Sequence, residues 1–195
     1  FRSVVATTGI VADLVSEIGG DRIRVDGLMG PGVDPHLYKP SQGDIRKLSG
    51  SDIIFYNGLH LEGKLTEIFG KMSRSKKVIP VTSGIDRSRL IRPEDYEGAY
   101  DPHIWFDVSL WKGTIDVVLQ HLIEADSLNR DVYAENARRY AWQLDSLHAW
   151  AGERIASIPE GQRVLITAHD AFTYFGKAYD IEVVALQGIS TIAEY

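Results

Sequence analysis

Through its first 83 residues the chain alternates short apolar runs with segments of helical periodicity, and this constrains the fold more than any other feature. "SVVATT" (3–8) is rich in β-branched residues and predicts a buried strand. "GIVADLVSEIGG" (9–20) places Ile10, Leu14 and Ile18 every four residues and closes on Gly19 and Gly20, a short helix with a glycine stop. "RIRVDGLM" (22–29) predicts a second strand, and "SQGDIRKLSGS" (41–51) a helix capped by Ser41. "DIIFYN" (52–57) is a third strand, "LEGKLTEIFGKM" (61–72) a helix and "KKVIPVT" (77–83) a fourth strand. Strands separated by helices pair in parallel, so an α/β unit is expected. Ligands of such units gather at the carboxyl ends of the strands.

Residues 84–102 are polar and irregular and include Pro93 and Gly98. A helix follows at 107–126, then a much longer one at 129–160 that Pro159 ends. Tyr133, Ala137, Tyr140, Leu144, Leu147, Ala151 and Ile155 mark one apolar stripe along the long helix. At its usual rise such a helix reaches roughly 40 Å, enough to connect two lobes. The alternation then restarts with strand 163–168, helix 171–179 and strand 181–186. One strand-helix-strand unit cannot cover both faces of its own sheet. The expected architecture is therefore two α/β lobes bridged by one long helix, the C-terminal lobe incomplete. The units are 1–128, 129–160 and 161–195.

Composition removes several function classes. The chain has no cysteine, which excludes disulfides, thiolate metal sites and cysteine catalysis. Its net charge of -6, with no basic stripe, gives no case for nucleic acid. No apolar run reaches the ~20 residues of a membrane helix. The chain opens strand-like with "FRSVVATTG", which is expected of a mature or trimmed N-terminus whose export signal or lipid-bearing cysteine is out of view.

Six histidines are present: His36, His60, His103, His121, His148 and His169. His36, in "GPGVDPHLYKP", and His103, in "YDPHIWFD", both follow Asp-Pro in loops. His169 in "TAHDAF" stands where strand gives way to helix, the position in its unit that His36 holds in the first. Imidazole nitrogen suits zinc and other late divalent metals. Three imidazoles from distant segments converge only on rigid loops, and proline before His36 and His103 removes backbone freedom there. Asp34, Asp101, Asp107 and Asp170 are candidate acceptors for the second ring N–H. His60 also ends a strand, so spacing leaves it open as a ligand. His121 and His148 lie in helices and read as structural or exposed. Trp105 and Phe106 read as cleft wall. No phosphate-binding glycine pattern, nucleophile elbow or HExxH motif occurs.

"GLMGPGVDPHLYKPSQGDI", "NGLHLE", "DPHIWFDV" and "VLITAHDAFTYFGKAYDIEVVALQGIST" together resemble the metal-binding receptors of zinc and manganese ABC transporters, of the TroA-like type. The resemblance implies two α/β lobes joined by a rigid helix, with one metal buried between them. It maps the family's three histidine ligands onto His36, His103 and His169, and makes His60 a cleft neighbour rather than a ligand. It implies Zn2+ as the ion, with Mn2+ and Fe2+ as the other candidates, and an ABC permease as partner. It implies a periplasmic or extracytoplasmic setting and a lipid anchor, as in lipoproteins and the related cell adhesion family. The family's fourth ligand, an aspartate, falls beyond Tyr195. From this we expect weaker zinc binding than a longer chain would show, and self-association through an open sheet edge. Neutral imidazole ligation predicts binding that weakens as pH falls through about 6.5.

Two other readings use the same residues. A zinc-dependent hydrolase would need Asp107 or Asp170 as general base. An adhesion or interaction protein would hold its metal incidentally. The receptor reading makes and breaks no bond, so no enzymatic activity is expected.

Overall fold

A computed structural model describes residues 2–93 and 99–187. Four parallel strands make the main sheet: β1 (Arg2–Ala6), β2 (Ile23–Gly27), β3 (Ile53–Tyr56) and β4 (Lys77–Pro80), in the order β2-β1-β3-β4. The alternating pleat divides its side chains between two cores. Val4, Ala6, Ile53 and Phe55 face α1 (Gly9–Gly19), α5 (Ile115–Ala125) and α6 (Arg130–Ala156). Val5 and Ile54 face the opposite way, onto Leu48 of α2 (Gln42–Gly50) and Phe69 of α3 (Thr66–Met72). Burial on both faces explains why the strands read as continuous apolar runs.

Local chemistry sets the helix ends. Thr8 accepts the Val11 N–H at the start of α1. Gly20 ends it at φ 56°, where a Cβ would stand 2.9 Å from the Asn136 amide. Ser41 and Asp44 form a reciprocal capping box on α2.

Several elements differ from the sequence expectation; the long helix, expected at 129–160, spans Arg130–Ala156, and Glu160–Gln162 form a separate 3-10 turn after Pro159. The fourth strand stops at Pro80, because Thr82 donates both its hydroxyl (2.7 Å) and its N–H (3.3 Å) to the Asn57 carbonyl and coils the chain over the end of β3. The helix expected from 107 divides into α4 (Val108–Trp111), a 3-10 turn at Lys112–Thr114, and α5. Gly113 permits the close approach of Ile85 there, since a Cβ would lie 2.8 Å from its Cδ1. The helix expected at 61–72 opens as a 3-10 turn at Gly63–Leu65.

The long helix α6 has 27 residues. Its first half packs on α1, α4 and α5, and it also meets α7 (Thr173–Tyr179). The chain then forms a second parallel sheet from β5 (Val164–His169) and β6 (Glu182–Gln187). α7 packs closely on β6, with Gly176 against Ile181 and Val183. Ile166 (67% exposed) and Leu186 (75%) are open to solvent, as expected of a single strand-helix-strand unit. Gly98 and residues 188–195 lie outside the described residues. No described helix is long and apolar enough to cross a membrane.

Candidate metal centre

The two Asp-Pro-His triplets close in the same way. Asp34 accepts the backbone N–H of His36 (2.8 Å), and Asp101 accepts that of His103 (2.9 Å). Proline between them carries no N–H and holds φ near -65°. Each triplet is thus a self-bonded Asx turn that presents its imidazole. His36 lies in the loop after β2, His103 in the segment after β4, and His169 ends β5. His36 and His103 therefore follow strands of the main sheet, and His169 stands at the carboxyl end of its own strand.

The structure brings these three rings together. His36 Nε2 is 3.2 Å from His103 Nε2, and His169 Nε2 is 3.3 Å from it. Their candidate ligand atoms all lie within 4.8 Å of one another, with His36 and His103 buried and His169 half-buried. For comparison, a tetrahedral zinc at the usual Zn–N length separates its nitrogens by about 3.3 Å. The His103 ring is oriented from behind, as its Nδ1 lies 2.8 Å from Asp101 Oδ1. A carboxylate only accepts, so the proton sits on Nδ1 and the Nε2 lone pair points at the other two rings.

Burial, then the neighbouring His103, pull the His36 ring down to about 4, with Asp34 opposing them. His36 is thus neutral, the form a metal needs. The sequence expectation that proton competition begins near 6.5 does not hold for this ring, because an unperturbed histidine is solvated and His36 is not.

Of the other proposed acceptors, Asp107 caps α4, accepting from the Ser109 hydroxyl (2.7 Å) and the Leu110 N–H (3.1 Å). Asp170 accepts from the Thr173 hydroxyl at 3.1 Å. The two carboxylates that hydrolysis would need as bases are therefore engaged in local structure. His60 is exposed, at φ 64°, and lines a separate cavity of about 480 Å3. His121 bonds Glu124, and His148 bonds the Tyr179 hydroxyl. Trp105 packs edge-on against His103 with centroids 5.3 Å apart. Phe106 packs on Phe172 at 4.2 Å, joining the segments that carry His103 and His169.

Sequence reasoning missed the groups behind the site. Glu62 is buried and accepts from the Thr7 hydroxyl (2.6 Å), the Asn57 N–H (2.7 Å) and the Gly58 N–H (3.2 Å). Burial outweighs these bonds and pushes its carboxyl above the usual carboxylate range. Asn57 in turn donates its amide to the Pro102 carbonyl at 3.1 Å, tying the end of β3 to the His103 turn. In "NGLHLE" Glu62 reads as an ordinary first-turn acid, and nothing in the local sequence marks it as buried.

Comparison with known proteins identifies the family to which this fold belongs. The profile of a family described as zinc-uptake complex component A, periplasmic (ZnuA), matches residues 4–195. The chain belongs to this family. Among its relatives, the manganese-binding lipoprotein MntA of Bacillus subtilis is 44% identical over 192 residues, covering 98% of this chain and 62% of MntA. The zinc-binding protein TroA of Treponema pallidum is 44% identical over 191 residues, covering 98% of this chain and 61% of TroA. The solved TroA structure superposes with a TM-score of 0.95 at 43% identity, covering 99% of this chain and 69% of that one. Fe(III)-bound YtgA of Chlamydia trachomatis superposes at 0.86 with 27% identity, covering 97% and 70%. The chain spans about three fifths of the length of the curated relatives it matches.

Proposed function

We propose that this chain captures a divalent transition metal for an ABC permease. His36, His103 and His169 bind the ion through Nε2, and Asp101 orients His103 from behind. The observation that carries the proposal is the meeting of three imidazole nitrogens at 3.2 and 3.3 Å, one of them with its proton held on the far side. Three neutral nitrogen donors favour zinc over harder ions, with manganese and iron as the alternatives. A tetrahedral ion so held has one further position, for a water or a carboxylate. Family membership supports the same reading, since the relatives are named as zinc- and manganese-binding proteins.

Residues 1–128 and 161–195 act as the two lobes that supply the histidines, and 129–160 as their bridge. Binding without bond-making is the chemistry of a receptor, so the chain is not an enzyme. It works outside the cytoplasm, where a lipid anchor would hold it beside the permease.

Competition titration with zinc and a chromophoric chelator tests the ligand set. Replacing His36, His103 or His169 by alanine should weaken zinc binding about 100-fold or more, since losing even an outer-shell partner costs 10–100-fold. His60→Ala should leave it unchanged. Zinc affinity that survives all three ligand substitutions overturns the proposal.

A further inference from the structure

The arms that carry His103 and His169 come from segments 66 residues apart in the sequence, and one hydroxyl joins them. Ile91 and Asp101 run side by side, and the Asp101 N–H donates to the Ile91 carbonyl at 2.9 Å. The reciprocal bond is not made directly. The Ile91 N–H donates to the Tyr174 hydroxyl (3.1 Å), and that hydroxyl donates to the Asp101 carbonyl (2.9 Å). A side chain from α7 thus completes a backbone pair of the His103 arm. Tyr174 (2% exposed) and Asp101 (0%) are buried, so the Asp101 carbonyl has no water as a substitute for this hydroxyl.

Both ends of this link lead to the histidines. Asp101 accepts the backbone N–H of His103 at 2.9 Å and approaches its ring Nδ1 at 2.8 Å, so a shift of the Asp101 backbone moves that imidazole. α7 begins at Thr173, just after the His169 turn. The Phe106–Phe172 contact at 4.2 Å joins the same two segments, but apolar ring contacts are less directional than a hydrogen bond. Two hydrogen bonds through one hydroxyl are directional and set a distance.

We infer that Tyr174 is a positioning residue whose hydroxyl sets His169 against His103, so that the third imidazole arrives already within reach of the ion. The inference rests on the proposed metal-binding reading. It adds a device that fixes the third arm, which the ligands themselves do not supply.

Tyr174→Phe keeps the ring and removes the hydroxyl. Zinc titration of the full chain should show about tenfold weaker binding, the part of the lost hydrogen-bond energy that reaches the site. In a His169→Ala background the same change should cost clearly less, about threefold or under, because only the Asp101 end of the link still acts on a ligand. A purely structural role would give equal losses in both backgrounds, and that result, or no loss at all, overturns the inference. A wild-type chain that fails to bind zinc overturns the functional reading itself, whereas zinc binding insensitive to Tyr174 overturns only the positioning role. If the variant does not fold, hydrogen exchange of the Ile91 amide in the wild-type chain decides. Zinc should slow that exchange several-fold, and an unchanged rate counts against the link.

Discussion

At the scale of single residues, the same side-chain type takes different roles according to its surroundings. His36 and His60 each follow a strand of the main sheet, yet one is buried beside two other imidazoles and the other faces solvent. Burial gives His36 a consequence for stability. Its folded value is about 4, whereas the unfolded chain titrates near 6.5. Between those values the unfolded state binds more protons, so stability falls as pH is lowered through that window. Urea unfolding of the metal-free protein at pH 7.5 and pH 5 should show the wild type losing roughly 1–2 kcal/mol more than His36→Ala. Equal losses would mean that His36 is solvated in the folded state. Both Asp-Pro-His triplets were visible in the sequence, but the role of their aspartates was only half legible. Their place as ring acceptors could be guessed, and Asp101 fills it. Their closing of each turn through the backbone emerges only when the coordinates put Oδ1 beside the histidine N–H.

At the scale of elements, periodicity identified the strands and helices but not how deeply each is buried. The long helix shows the difference. Its apolar stripe treats Leu144 and Leu147 alike, yet Leu144 is 7% exposed and Leu147 46%. The first half of α6 is covered by α1, α4 and α5, and the second half runs past them. Trp142 and Trp150 are exposed along the same helix. Leu144→Ala should therefore cost about 2–4 kcal/mol of unfolding free energy, and Leu147→Ala under about 1 kcal/mol. Denaturant melts of the two variants check this, and equal effects would show the stripe to be uniformly packed. The fourth strand makes the complementary point. "KKVIPVT" looks like one strand because β-branched residues continue past Pro80, but the Thr82 hydrogen bonds to the Asn57 carbonyl end it there. That contact lies between elements, so no local pattern could signal it.

At the scale of the whole molecule, the three histidines come from three regions of the chain, and an ion bound by all of them would stabilise those regions together. Zinc that binds only the folded state should add about 4 kcal/mol at a free concentration a thousand times its dissociation constant. Thermal unfolding followed with and without zinc should show a higher Tm with metal, and a smaller rise in His169→Ala. A Tm indifferent to zinc would mean that the ion does not bridge the regions. The order of strands and helices in the first 83 residues was enough, without coordinates, to require a parallel α/β unit with ligand groups at its strand ends. Proline and aspartate beside two histidines were enough to single out those loops. These features are local, and local sterics and hydrogen bonding decide them. Convergence of His36, His103 and His169 to nitrogen separations of 3.2 and 3.3 Å is a different kind of fact. So are the burial of Glu62 behind the site and the Tyr174 hydroxyl bridging Ile91 and Asp101. Each depends on segments far apart in the chain being packed against one another, and spacing along a sequence carries no distance in space until the core has closed.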